Sequence, residues 1–293
     1  MTAPVEIVTP CGNRLGEAPV WIAEQNALLW IDLPTGTVWR YDAGAGSVTS
    51  SVLDVPAPLG AIARTEDDST LIVTHRHGIA RFDITTLATA AFADPEQGRD
   101  GVMYNDAKCD RTGRLWAGTS HVTEADPRGC LWIIDRGSAR LADAGFAIAN
   151  GPAFSPDGLT AYFSDSAARK VFTYTMNATD GAPHSRHLFC TFSESDGMPD
   201  GLTVDAEGCV WIAHWAGQRI SRWSAGGRKL DEIAIPSHHV TSLCFGGADL
   251  GDLYVTSAWD GLDADARKDT PASGHLFRLR PGTPGIAEPR VRV

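Results

Sequence analysis

The chain lacks most of what would carry it to a membrane or a nucleic acid. It has no run of about 18 apolar residues, so no bilayer-spanning helix is expected. Its opening stretch, MTAPVEIVTPCGNR, has neither the basic nor the apolar region of a signal peptide, and a cytoplasmic location is expected. Basic residues are in deficit: 25 Lys and Arg stand against 36 Asp and Glu, a formal net charge of -11. An acidic surface argues against nucleic acid and anionic membranes as partners, since both need basic patches. The six cysteines (Cys11, Cys109, Cys130, Cys190, Cys209, Cys244) contain no C-x-x-C pair. Their even number permits disulfides, but a chain this long needs no staples, so reduced thiols are expected. Helical periodicity is nearly absent. No G-x-S-x-G sits in a strand-turn-helix context, which removes the usual serine nucleophile.

What is present is a repeat. The 293 residues, 43% apolar and 8% aromatic, suffice for a large core. One unit recurs: a short apolar strand, an acidic turn, an apolar-aromatic strand, and often a third. It reads APVWIAEQNALLWID from Ala18, AIARTEDDSTLIVT from Ala61 and AKCDRTGRLWAGT from Ala107. It continues as PAFSPDGLTAYFSD from Pro152, LTVDAEGCVWIAH from Leu202 and SLCFGGADLGDLYVT from Ser242. The centres of the second strands, Trp30, Ile72, Trp116, Phe163, Trp211 and Tyr254, are spaced 42, 44, 47, 48 and 43 residues apart. Third strands follow at Val38, Ile79, Leu131, Val171, Ile220 and Leu276. Units of this length with three or four short strands predict an all-β fold, a six-bladed β-propeller, spanning 1–293 as one domain. The segment VEIV at Val5 is expected to join the last blade and close the ring.

The repeat lets positions be compared between blades. Six residues before each centre stand Glu24, Glu66, Asp110, Asp157 and Asp205, so an acid there belongs to the turn. Asp200, in GMPDGLTVDAEG, is not at that offset. It lies eleven residues before Trp211, at the head of its blade. The corresponding places hold Glu17, thirteen before Trp30, Asn105, eleven before Trp116, and Asn150, thirteen before Phe163. Gly60 and Thr241 stand there in blades 2 and 6. First strands line the central channel of a propeller, so these groups converge on one mouth. Two carboxylates brought together repel unless a cation sits between them. Oxygen ligands without Cys or His select a hard divalent ion such as Ca²⁺, Mg²⁺ or Mn²⁺.

The stretches LGEAPVW (15–21), NDAKCDRTGRLWAGT (105–119), ANGPAFSPDG (149–158), PDGLTVDAEGCVWIAHW (199–215) and VTSLCFGG (240–247) resemble the gluconolactonase/regucalcin/luciferin-regenerating-enzyme family, and most of all its bacterial sugar lactonases. The resemblance implies hydrolysis of a sugar-acid lactone, a small-molecule substrate, at one divalent cation. Ca²⁺ is favoured, with Mg²⁺, Mn²⁺, Zn²⁺ or Fe²⁺ as alternatives. It implies Glu17, Asn150 and Asp200 as metal ligands, Asp200 as the acid-base group, and Asn105 beside the metal or substrate. Asp200 is expected to orient the attacking water and shuttle its proton. Two departures bear on substrate: Met103 stands where many members carry Arg, and Thr123, beside Glu124, where they carry Glu. Arg99 could fold back to replace the missing guanidinium. The ends of the second strands, Asp32, His75, His121, Asp165, His214 with Trp215, and Trp259, are expected to roof the cavity and read substrate hydroxyls. An organophosphate or aryl-ester hydrolase on the same site, and a non-catalytic scaffold with a structural cation, are the rival expectations. A monomer or weak homo-oligomer is expected.

Overall fold

The computed structural model describes residues 4–177 and 181–293. Six four-stranded antiparallel sheets form a six-bladed β-propeller, and in five of them the strands follow chain order from the channel outward. Blade 1 is Gly16–Ile22, Ala27–Asp32, Thr37–Asp42 and Ser47–Val52. The innermost strands of blades 2 to 5 are Leu59–Arg64, Val102–Cys109, Ala149–Phe154 and Met198–Val204. Blade 6 combines His239–Gly246, Asp252–Ala258 and Leu276–Leu279 with Glu6–Thr9 from the start of the chain, which pairs antiparallel to Leu276–Leu279. The N-terminal strand thus closes the ring, as the sequence predicts, and covers the outer edge of Leu276–Leu279.

The second strands form the middle of each blade, covered on both faces by neighbouring blades. That is why they read as unbroken apolar runs. Trp30, Ile72, Trp116, Phe163, Trp211 and Tyr254 are all at most 1% exposed. Burying each such side chain contributes about 1.5–3 kcal/mol. The turn acids divide. Asp110 and Asp205 accept from the indole Nε1 of Trp116 and Trp211, at 2.9 Å each. Glu24 instead pairs with Arg64 and Arg290, and Asp157 accepts from Ser155 Oγ and the Leu159 amide.

The register explains this division. Every innermost strand carries one extra residue at the same level. Glu17 pairs with Ile31 and Val20 with Leu29, and the same step recurs after Leu59, Tyr104, Asn150, Pro199 and Val240. Trp30 and Phe163 lie opposite this bulge, whereas Trp116 and Trp211 lie two residues nearer the turn. The two sequence offsets, thirteen and eleven, therefore describe almost one level. Glu17 and Asn150 stand just before the bulge, and Asn105 and Asp200 stand in it. A bulge interrupts strict alternation and re-aims side chains, here six times around one axis.

At the opposite mouth the last ten residues cross beneath the blades. Ala206 donates to Pro284 O, Gly285 to Leu250 O, Arg111 to Ala287 O, and Val291 to Arg64 O. Arg290 pairs with Glu24 and Asp68, and Arg292 with Asp135. Val291 is wholly buried. A Cβ at Gly285 would stand 2.1 Å from the Phe245 ring, so only glycine lets the tail lie this close.

Candidate active site

At the other mouth the channel opens into a cavity of about 120 Å³. Glu17, Asn105, Asn150 and Asp200 line it together, with Asp106 and Glu124, which the sequence did not single out as site residues. Leu15, Leu33, Ile148, Met198 and Trp215 supply its apolar wall. Glu17, Asp106, Asn150 and Asp200 are 3–6% exposed.

A chain of hydrogen bonds sets the two amides. Ser166 Oγ donates to Pro199 O at 2.6 Å, so it can only accept from Asn150 Nδ2, at 2.8 Å. That turns Asn150 Oδ1 toward Asn105, whose Nδ2 donates to it and to Ala149 O, both at 2.8 Å. Both Asn105 hydrogens are committed, which leaves its carbonyl oxygen for the cavity. Glu17 accepts from the Ala18 amide at 2.7 Å. Asp106 accepts from the Ala107 amide at 2.7 Å and the Gly151 amide at 3.0 Å, which ties blade 3 to blade 4.

Burial dominates the electrostatics. It pushes Glu17 up to about 8, with the neighbouring Asp106 charge adding to the shift. Asp106 rises to about 6 through burial, opposed by Lys108. Burial, then Glu17, Asp106 and Glu124, hold Asp200 well above the usual carboxylate range. Lys108 donates from its ammonium to Leu202 O in blade 5, reaching across the channel from blade 3.

This donor set fits a hard divalent cation. Among the described residues no three of His, Cys, Asp and Glu form an ion site by themselves. Asn150 Oδ1 accepts from Asn105 Nδ2 and keeps a second lone pair, with which it could add an amide oxygen to the carboxylates. When ionised, Glu17, Asp106 and Asp200 carry three negative charges against one positive charge on Lys108, and a divalent ion would balance the remaining two.

Other expected substrate contacts fall elsewhere. Of the second-strand ends, only Trp215 lines the cavity. Asp32 accepts from the Arg14 and Leu15 amides, and Asp165 from those of Ala147 and Ile148, so each holds the loop entering its own blade. His121 Nδ1 lies 2.8 Å from Thr123 Oγ1, and both stand outside the cavity, as does Met103, opposite Ser120. His75 and Trp259 also lie outside; the Trp259 indole donates to Gly12 O. His214 is buried with both ring nitrogens engaged. Glu124, at φ 55, reaches the cavity in place of Thr123. Arg99 is unavailable to replace an arginine at 103: its guanidinium bonds Glu96, Cys130 Sγ and Arg128 O.

Among the described residues no helix is long and apolar enough to cross a membrane. Comparison with known proteins agrees with this architecture. The chain is 37% identical to a 6-deoxy-6-sulfogluconolactonase of Pseudomonas putida, over 99% of both chains. It is 34% identical to a pentonolactonase of Haloferax volcanii, over 100% of this chain and 99% of the other. Its fold superimposes with a TM-score of 0.94 on a calcium-binding protein, regucalcin, from Agrobacterium tumefaciens, at 26% identity and covering 99% and 98% of the two chains. Residues 15–259 match the SMP-30/gluconolactonase/LRE-like region, and the chain belongs to that family.

Proposed function

We propose that this protein hydrolyses a neutral sugar-acid lactone to its open-chain acid, using one divalent cation held by Glu17, Asn150 and Asp200. Ca²⁺ is the ion this oxygen-only set favours. The observation that carries the reading is the inward-facing oxygen set, buried at one mouth and anionic beyond what Lys108 balances. The names of the two lactonase relatives support lactone hydrolysis, and the calcium-binding description of the structural relative supports the cation. The neutral preference rests on the lining alone, since one of the two names is that of a sulfonated lactone's hydrolase.

When bound, the cation would polarise the lactone carbonyl and stabilise negative charge growing on its oxygen. The chain's own groups do the rest. Asp200, buried in the cavity wall, orients the water whose oxygen bonds the carbonyl carbon and takes up its proton. It returns that proton to the ring oxygen as the carbon–oxygen bond breaks. Asn105 presents a carbonyl oxygen to a substrate hydroxyl. Trp215, Leu15 and Met198 cover the apolar face of the ring and keep bulk water out.

The preference for a neutral lactone follows from the lining, which includes four carboxylates and no Lys or Arg. Arg14, the nearest rim cation in sequence, pairs with Asp260. A carboxylate or sulfonate on the substrate would meet like charge without a partner. Each such contact costs roughly 1.4 kcal/mol, or about tenfold.

The test is acid release from neutral pentono- and gluconolactones and from a carboxylated lactone, with and without chelator. Chelation should abolish turnover and leave the β-sheet circular dichroism unchanged, and the neutral lactones should have the higher kcat/KM. Full activity after complete removal of metal would sink the cation-dependent reading. A preference for the carboxylated lactone would sink the charge argument.

A further inference from the structure

His214 ends the second strand of blade 5, yet its side chain is 1% exposed and faces away from the cavity, into the blade. Nδ1 lies 2.7 Å from the carbonyl oxygen of Asp196, and Nε2 lies 2.6 Å from Ser221 Oγ. A carbonyl only accepts, so Nδ1 carries the hydrogen. Ser221 Oγ accepts from the Trp223 indole at 2.7 Å, a group that only donates, and turns its own hydrogen to Nε2. Every direction in this relay is fixed: indole to hydroxyl, hydroxyl to imidazole, imidazole to carbonyl. The Phe192 ring covers the imidazole at 4.6 Å. Burial, the largest influence, lowers the imidazole to about 4 and keeps it neutral.

The carbonyl at the end of this relay is placed for a purpose. Asp196 closes the short turn Glu194–Asp196, held at its start by Ser193. Gly197 follows at φ 80, and a Cβ there would stand 2.2 Å from the Trp215 carbonyl oxygen. The segment therefore lies flat on the backbone beside His214, and Pro199 pairs with His214 in the sheet. Met198 and Asp200 come next, both in the cavity wall. On the other side of His214 stands Trp215, stacked on His239 at 4.0 Å and 10°.

We propose that His214 is a positioning residue, a neutral imidazole strut that fixes the segment from Asp196 to Asp200 against Trp215 and so places the Asp200 carboxylate, without touching substrate. The part concerning turnover rests on the proposed role of Asp200; the strut itself does not.

The test compares the parent with His214→Phe, which fills the space but cannot donate, and His214→Asn, whose amide nitrogen can take the place of Nδ1. Backbone amide exchange at residues 197–201 should quicken in His214→Phe by about tenfold, the loss of about 1.4 kcal/mol of local stability. It should return toward the parental rate in His214→Asn. The kcat should fall roughly 10²-fold in His214→Phe with KM little changed, the expected effect of a misplaced catalytic group. His214→Leu serves if the phenylalanine does not fold. Unchanged exchange in a folded His214→Phe overturns the strut. A rise in KM with kcat intact overturns it in favour of substrate contact. If the parent hydrolyses no lactone, the proposed function falls, while the exchange comparison still decides the strut.

Discussion

Asp200 and Asp205 lie five residues apart in one strand-turn segment, and their replacement by asparagine should have opposite consequences. Asp205 is wholly buried and takes hydrogens from four N–H groups. These are the Glu207 and Cys209 amides at 3.0 Å, the Trp211 indole at 2.9 Å and Arg222 Nε at 2.8 Å. The amide donors use one carboxylate oxygen and the side-chain donors the other. Asparagine has an acceptor on one side only, so whichever way it turns, two donors face an NH₂ group. Leaving a buried donor unpaired costs about 1–3 kcal/mol. Arg222 keeps Glu207 as a second partner, which limits the electrostatic part of the loss. The sum is about 3–5 kcal/mol, or a fall in Tm of about 10 °C at 2–4 °C per kcal/mol. Turnover at 25 °C should survive, because none of these contacts reaches the cavity. Asp200→Asn replaces a carboxylate that burial already disfavours, so its Tm should hold or rise, while removal of the proposed acid-base group should lower kcat by about 10²–10⁴-fold. Paired thermal melts and initial rates on the two variants decide the matter. Comparable activity losses in two equally stable proteins would refute the assignment of one acid to the turn and the other to the site.

Two further outcomes follow from the same structure. Burial pushes Glu17 up to about 8 in the cation-free folded protein against an ordinary 4.5, so between those values the unfolded chain releases a proton that the folded chain keeps. The cation-free protein should lose stability as pH rises from 5 to 8, and Ca²⁺ should restore more at pH 8 than at pH 5; a flat cation-free melting profile would contradict this. Gly285→Ala, with its Cβ driven into Phe245, should unseat the tail and lower Tm by several degrees, given about 1–3 kcal/mol for overpacking. An unchanged Tm and unchanged protease resistance of the tail would show that the tail is not seated through this contact.

The legible parts of the fold are those buried on both faces. LLWI, LWAG and VWIA announce central strands because nothing polar is tolerated there, and their spacing gives the blade count. The outermost strands were largely hidden. Ser47–Val52 and Lys229–Ala234 are mostly solvated, so SVTSSV and KLDEIA carry little alternation to read. Glu17, Asn105, Asn150 and Asp200 could be found because the repeat puts them at one level. Asp106 was passed over because adjacent strand residues ordinarily point to opposite faces. Only the bulge brings both Asn105 and Asp106 to the cavity, and no residue type in NDAK signals it. Glu124 was displaced by one position for a similar reason: its left-handed backbone, not the strand period, decides which loop residue turns inward. His214 carries the opposite lesson. Its place at a strand end suggested the substrate, but its partners on the third strand and in the preceding loop turn it inward.

The C-terminal tail makes the tunnel through the ring a blind alley. Glu124 and Trp215 line the cavity at one mouth, and Glu288 and Pro289 of the tail lie beside Lys108 toward the other. Traffic is therefore single-file. On the proposed mechanism the cation would load before the lactone and a seated lactone would bar its escape, so saturating substrate should slow the stripping of metal by chelator. The product backs out through the door by which the substrate came. On that reading it would leave as an anion past Glu124, the one lining carboxylate that the cation and Lys108 do not balance.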